Sequence, residues 1–189
     1  MHMTTMRVFL ILMFVSSFTI QLQAQTVNAS WKQDLERALS EFVNCKKNGN
    51  NECSSLTGES LKKVYNINDF YSSSRKRYMA ASEISSFIKD NRNWTALGPS
   101  FDQSVLEAAQ QNANNKKAVV AVYQDEQGLG HVVLIVPGAL TPSGSWGLKV
   151  PNAASFFAND PQRSFVDKGL SFAFTKSMMK DVILYVRKY

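Results

Sequence analysis

The sequence is poor in histidine and cysteine, the side chains that most often bind transition metals. Its 189 residues include two of each, and one of the histidines is His2, at the very start of the chain. A structural zinc site usually needs four such ligands at characteristic spacings, and no such spacing occurs. The sequence therefore predicts neither a metal site nor any other cofactor.

Long apolar runs are also scarce. The one pronounced run is Val8–Val15, which follows Arg7 and precedes Leu22-Gln23-Ala24. A basic residue, a short apolar run and a final small residue are typical of a secretory signal peptide, and the run is short for a membrane anchor. We predict a signal peptide over residues 1–24 and a single secreted or periplasmic domain over residues 25–189, with no membrane-spanning segment in the mature chain.

Acidic residues are fewer than basic ones. The chain has 21 Lys and Arg against 15 Asp and Glu, a net charge of +6. Loss of the predicted signal removes one base, Arg7, and no acid, which leaves +5. No basic run carries interleaved aromatic residues, so nucleic acid is not an expected partner. A moderately basic secreted protein suits an anionic surface such as a cell wall.

Apolar residues recur at helical spacing in the first half of the chain and form β-branched runs in the second. Helices are predicted over residues 31–45, 53–65 and 101–114, with a further short helix that ends near Asn91. Ser100 is the predicted N-cap of the helix over residues 101–114. Strands are predicted over residues 118–123, 131–136, 146–150, 169–174 and 181–187. Trp94 is predicted to be a core residue or a cleft wall. Helices followed by strands indicate an α+β domain.

Cys53 lies where an Asn- and Gly-rich loop gives way to the second predicted helix. The N-terminal end of a helix offers unpaired N–H groups and the positive end of the dipole, which stabilise a thiolate. Cys53 is therefore a candidate nucleophile. A disulfide between Cys45 and Cys53 across the short loop is the alternative, since paired cysteines are common in secreted chains.

A cysteine nucleophile needs a base that accepts its proton and later protonates the leaving amine. Histidine suits both steps near neutral pH, and His131 is the only histidine left in the predicted mature chain. It opens a predicted strand 78 residues after Cys53, so only the fold can bring the two together. A small buried cysteine and a hydrogen-bonded strand histidine, without catalysis, are the alternative.

Two short motifs resemble those of secreted papain-like cell-wall hydrolases of the CHAP and NlpC type. They are Glu52-Cys53 before a helix and Gly130-His131-Val132-Val133 on a strand. The resemblance implies a papain-like α+β fold, in which a helical N-terminal half packs on a central antiparallel β-sheet. It also implies cleavage of amide bonds in peptidoglycan, as an N-acetylmuramoyl-L-alanine amidase or a stem-peptide endopeptidase. We expect a monomer.

In such an enzyme Cys53 attacks the amide carbonyl and its backbone N–H is a candidate oxyanion donor. His131 acts as general base and then general acid, and Asn152 is the candidate that orients its ring through Nδ1–H. Ser145 and Asn159 are less favoured for that role. Because Asn152 follows Pro151, a plain turn residue is its alternative. The chain departs from the family pattern at Ser54-Ser55, where an aromatic residue often follows the cysteine.

Two rival functions accompany this prediction. One is a non-catalytic wall-binding protein of the same fold, in which Cys45 and Cys53 form a disulfide. The other is an antibacterial effector, which has the same chemistry but acts on the wall of a competitor.

Overall fold

The computed structural model describes residues 26–47, 55–125 and 130–189. The predicted signal peptide, Cys53 and turn residues 126–129 lie outside these ranges. The helices are α1 (Trp31–Lys47), α2 (Leu56–Tyr65), α3 (Ala81–Asp90) and α4 (Gln103–Asn114). The strands are β1 (Tyr71–Ser72), β2 (Arg77–Tyr78), β3 (Trp94–Pro99), β4 (Val119–Gln124), β5 (Gly130–Ile135), β6 (Thr141–Ser143), β7 (Leu148–Val150), β8 (Asn152–Ser155), β9 (Phe165–Gly169) and β10 (Ile183–Arg187).

Six of these strands form an antiparallel sheet in the order β3-β10-β4-β5-β8-β9. The pairs β1–β2 and β6–β7 are separate hairpins. The predicted α+β class with an antiparallel sheet is therefore confirmed. None of the described helices is both long and apolar enough to cross a membrane.

Both faces of the central strands are buried, which explains why β4 and β5 are continuous apolar runs. Alternate residues point to opposite faces of a sheet, so Val120 and Val122 meet one core while Val119 and Ala121 meet the other. Helices α1, α2 and α3 cover the first face through their apolar residues, and α4 covers the second. The sheet is thus the middle layer of three.

Helix α2 is firmly seated on the first face. Leu61 and Val64 are fully buried there, and burying a side chain of this size stabilises the fold by about 1.5–3 kcal/mol. The buried Tyr65 hydroxyl donates a hydrogen bond of 2.8 Å to the Ile135 carbonyl of β5. The helix ends at Asn66, which adopts a left-handed conformation (φ 55°). These contacts fix α2 relative to the strand that carries His131.

Trp94 is a core residue, which is one of its two predicted places. It begins strand β3, which the sequence pattern does not predict, and its ring stacks on Phe70 with the centroids 5.4 Å apart. Other predicted elements differ from those observed. Helix α4 begins two residues later than predicted, because the Asp102 carboxylate accepts the Ser104 N–H. Ser100 is not its cap, since the buried Ser100 hydroxyl bonds the Met179 carbonyl.

The end of the predicted strand pattern also differs. Residues 170–172 form a 3-10 turn, so the strand predicted over residues 169–174 is wrong, and β9 lies just before it. The segment predicted as a strand over residues 146–150 contributes β7, which belongs to a separate hairpin rather than to the central sheet.

Candidate active site

His131 lies in β5, one residue after the strand begins at Gly130. The glycine has a steric role, since a Cβ there would lie 2.6 Å from the Ser85 hydroxyl of α3. The strand can therefore approach α3 closely just before the histidine. In the register of the β4–β5 pair, His131 lies directly opposite Tyr123 of β4.

The imidazole of His131 is held by three neighbours. Its ring stacks on Phe157 with a centroid separation of 4.3 Å and an interplanar angle of 16°. The Phe174 ring meets it edge-on at 5.6 Å. Nε2 is 2.8 Å from the hydroxyl oxygen of Ser155, a fully buried residue of the adjacent strand β8. The position of the ring is therefore fixed both by aromatic packing and by a hydrogen bond.

The bond at Nε2 is compatible with either tautomer of the neutral ring, because the Ser155 hydroxyl can accept or donate. In the tautomer in which Nε2–H donates to Ser155, Nδ1 carries the lone pair. No described residue forms a hydrogen bond with Nδ1. Burial, together with the positive charge of Arg163, lowers the pKa of His131 to about 4. At neutral pH the ring is therefore uncharged.

The histidine lines a cleft of about 540 Å³. One wall carries Phe157 and Arg163 from the β8–β9 connection, and another carries Phe174. The first turn of α3 and Thr57, in the first turn of α2, also face the cleft. Thr57 and His131 therefore line the same cleft, although they are 74 residues apart in the sequence.

A glycine explains how the first turn of α2 comes to the cleft. A Cβ on Gly58 would lie 2.7 Å from the carbonyl oxygen of Met79, in the segment that leads into α3. Only a residue without a side chain allows α2 to pack so closely on that backbone. This contact draws the first turns of α2 and α3 together on one side of the cleft.

The predicted nucleophile, Cys53, lies outside the described residues. It precedes Thr57 by four positions in the sequence. Cys45, in the last turn of α1, takes part in a disulfide bond. The only other cysteine in the sequence is Cys53. Within one chain, therefore, Cys53 is the only partner that the sequence offers to Cys45.

The structure does not bring Asn152 to His131. Asn152 begins β8, whereas His131 lies near the start of β5, at the opposite end of that antiparallel pair. The Asn152 side-chain amide donates to the Pro137 carbonyl at 3.1 Å and to the carboxylate of Asp167. We therefore correct the predicted triad, because Ser155 is the described residue that bonds the imidazole.

The other two candidates for the third residue also have defined places. Ser145 lies in the β6–β7 turn, where its hydroxyl is 3.2 Å from that of Ser143. Asn159 does line the cleft, although no hydrogen bond joins it to His131 among the described residues.

The walls of the cleft do not follow from the sequence pattern. Ser155, Phe157 and Arg163 lie on a strand and a connection that the pattern does not indicate, and Phe174 falls in a segment predicted as a strand. The sequence offers only the short segment Asn152–Ser155 after the β5 strand. If it is interpreted as the next antiparallel strand, Ser155 lies opposite Val133, two residues along β5 from His131.

Among the described residues, no group of three or more His, Cys, Asp or Glu side chains could hold a metal ion. No protein-family model matches the sequence, and no curated protein is significantly similar to it.

Proposed function

We propose that this protein is a cysteine hydrolase that cleaves amide bonds in peptidoglycan, with Cys53 as nucleophile and His131 as base. The observation that carries the proposal is the shared cleft. A neutral histidine, oriented through Nε2 and open at Nδ1 among the described residues, faces the first turn of the helix that follows Cys53. Nucleophile and base on separate elements around one cleft are the arrangement that thiol hydrolysis requires.

The reaction proceeds in two halves. The Cys53 thiol gives its proton to Nδ1 of His131, and the thiolate attacks the amide carbonyl carbon. His131 then protonates the leaving amine as the C–N bond breaks, which leaves a thioester on Cys53. A water molecule, deprotonated by His131, attacks the thioester and releases the acid and the thiol. The developing oxyanion needs N–H donors, for which the backbone N–H of Cys53 is the candidate.

Ser155 is the positioning residue in this scheme. By accepting the Nε2–H in this scheme, its hydroxyl keeps the basic lone pair on Nδ1. It also stabilises the imidazolium that forms when the thiol ionises, since a hydrogen bond to a charged group is stronger than one to a neutral group.

The papain-like relationship and the substrate belong to the same proposal. A cysteine before a helix, a later histidine at the start of a strand and an antiparallel sheet all agree with the resemblance to CHAP and NlpC hydrolases. The basic composition of the chain suits an anionic wall. We place the protein outside the cytoplasm after removal of residues 1–24, and exported protein that still begins at Met1 would contradict this.

The disulfide at Cys45 favours a second candidate, a wall-binding protein without catalysis. A cysteine whose sulfur is held in a disulfide cannot act as a thiolate nucleophile. If Cys53 is the partner, the oxidised protein is inactive, and hydrolysis requires reduction by an external thiol. Reduction of the disulfide therefore activates hydrolysis if the protein is a hydrolase and produces no hydrolysis if it is a wall-binding protein.

Single cysteine variants separate the two candidates. Wild type, Cys45→Ser and Cys53→Ser are incubated with purified peptidoglycan, with and without dithiothreitol, and the fragments are measured by mass spectrometry. If Cys53 is the nucleophile, wild type is active only after reduction and Cys45→Ser is active without it. Cys53→Ser loses nearly all activity in both conditions, because a serine hydroxyl ionises far less beside the same base.

The wall-binding candidate gives a different pattern. None of the three proteins releases fragments, yet each sediments with the wall. Both variants melt at a lower temperature by a similar amount, since each removes the same cross-link, worth about 2–3 kcal/mol for so short a loop. Free-thiol counts on the wild type before and after reduction verify the redox state in each assay.

A further inference from the structure

Arg163 is the one lysine or arginine among the described residues that line the cleft. It ends a short 3-10 turn, Pro161–Arg163, in the connection between β8 and β9. That connection is tied at its base, where the Phe157 N–H donates to the Ser164 hydroxyl at 2.8 Å. The guanidinium is therefore carried by a closed loop next to the base.

The guanidinium lies over the Phe157 ring, which also stacks on His131. Its central carbon is 4.8 Å from the Phe157 centroid, and that centroid is 4.3 Å from the imidazole centroid. The guanidinium carbon and the imidazole centre are thus at most about 9 Å apart. A cation held on an aromatic face keeps its N–H donors at the edge, where a planar anion can bind.

The donors of Arg163 are hardly used by the described part of the protein. Its ion pair with Asp160 joins Nε to a carboxylate oxygen 4.0 Å away, with the Arg163 side chain 60% and the Asp160 side chain 51% exposed. A pair this long and this exposed contributes little, at most about 1 kcal/mol. No hydrogen bond from the guanidinium to a described residue is present, so its bidentate capacity remains for a ligand.

We propose that Arg163 binds a carboxylate of the substrate, which makes the preferred substrate a peptide with a free carboxylate close to the amide that is cut. The inference rests on the proposed function, since His131 marks where that amide lies. Successive Cα atoms are about 3.8 Å apart, so a guanidinium within about 9 Å of the base reaches a carboxylate about two residues or fewer from the reacting bond. Stem peptides of peptidoglycan contain such carboxylates.

The charged groups of the cleft act on an anion in opposite directions. Besides burial, the positive charge of Arg163 acts on His131 and lowers its pKa. Asp160 and Asp125 also line the cleft and would repel an anion, so the attraction has to come from direct contact with Arg163.

The test compares two muramyl tripeptides that differ in one group. Both have an amidated C-terminus, and the α-carboxyl of the central D-glutamate is either a free carboxylate or a carboxamide. kcat/KM is measured for reduced wild type and for Arg163→Met, which keeps the side-chain length without the charge. Lys168→Met is the matched control, because Lys168 is also a cation over aromatic rings, 5.6 Å from the Phe172 centroid, but it does not line the cleft.

A carboxylate contact predicts a selective loss. Arg163→Met should lower kcat/KM for the carboxylate peptide by about 10- to 100-fold, the usual value of a charge-assisted hydrogen bond. The carboxamide peptide should change by less than about twofold, and Lys168→Met should change neither. Equal losses for both peptides would overturn the inference and leave Arg163 as a support for the aromatic stack, and so would no loss for either.

Binding separates this inference from the proposed function. Calorimetry with the Cys53→Ala protein measures affinity for the same two peptides without turnover. Tighter binding of the carboxylate peptide that Arg163→Met abolishes would uphold the inference even if wild type hydrolyses neither peptide. Hydrolysis of both peptides with equal kcat/KM and equal affinity would uphold the proposed function and refute the inference. Failure of both peptides to bind would refute it as well.

Discussion

Folding makes His131 harder to protonate. Burial and then the charge of Arg163 lower its pKa from 6.5 to about 4. The unfolded chain therefore binds a proton at His131 below about pH 6.5, whereas the folded chain does so only near pH 4. The contribution of His131 to the free energy of unfolding is therefore fully present above about pH 6.5 and is lost as the pH falls toward 4.

The free energy of unfolding should accordingly fall by about 2 kcal/mol between pH 7 and pH 5 on account of this one residue. Urea unfolding at the two pH values measures the loss. His131→Asn retains a polar side chain of similar shape but cannot titrate, so its stability should change less over the same interval. Equal pH dependence in the two proteins would show that His131 is protonated as readily in the folded state as in the unfolded one.

Ser155 and Asn152 make opposite predictions, although both are buried polar residues of β8. Ser155→Ala removes the hydroxyl that forms a hydrogen bond with Nε2 of His131, so hydrolysis should fall by about tenfold or more. Asn152→Ala removes bonds to Pro137 and Asp167 and should cost about 1–3 kcal/mol of stability while the turnover of the folded fraction is kept. The two variants are compared by fragment release and by thermal melting. The reverse pattern would return Asn152 to the active site.

At the scale of elements, the cleft depends on how closely α2 packs against the segment before α3. Gly58→Ala places a methyl group against the Met79 carbonyl, at a distance that no real Cβ tolerates. Helix α2 must shift, which should cost about 1–3 kcal/mol and displace its first turn from the cleft.

A matched glycine provides the control for this change. A methyl group at Gly144, in the loop after β6, would have no atom within 4 Å, so Gly144→Ala should alter neither melting temperature nor fragment release. Gly58→Ala should lower both. Unchanged activity in a destabilised Gly58→Ala protein would show that catalysis does not depend on how closely α2 packs against Met79.

Elements with a strong local pattern could be predicted from the sequence. α1 and α3 have apolar residues at helical spacing, β4 and β5 are continuous β-branched runs, and each is found close to its predicted place. Strands β3 and β8 could not be predicted from the sequence, because Trp94–Pro99 and Asn152–Ser155 lack a β-branched run. Their strand structure comes from pairing with β10 and β5, which is a tertiary effect that local propensity does not contain.

The same limit applies to the site. His131 could be selected because it is the sole histidine of the predicted mature chain and follows a glycine. The hydrogen-bond partner of His131 could not be selected from the sequence. The choice between Asn152 and Ser155 depends on the register of β8 against β5, and a short strand with no alternating pattern leaves that register open. Arg163 is a cleft residue only because the β8–β9 connection folds back over Phe157.

For the whole molecule, the position of β10 is the feature with the widest effect. This strand pairs with β3 on one side and β4 on the other, so it lies inside the sheet. Truncation after Val182 should abolish cooperative unfolding, because it leaves both neighbours with unpaired backbone groups. Truncation after Arg187 keeps the strand and should remain folded. Circular dichroism melts of the two proteins measure the difference, and a cooperative melt of the shorter one would show that β10 is dispensable.

The place of β10 also sets when the chain can finish folding. A ribosome delivers β3 and β4 long before the strand that joins them, so this sheet cannot close until β10 has been made as well. Until then β3 has no partner strand in the sheet, and β4 can pair only with β5. The order of synthesis therefore makes closure of the sheet a late event in folding.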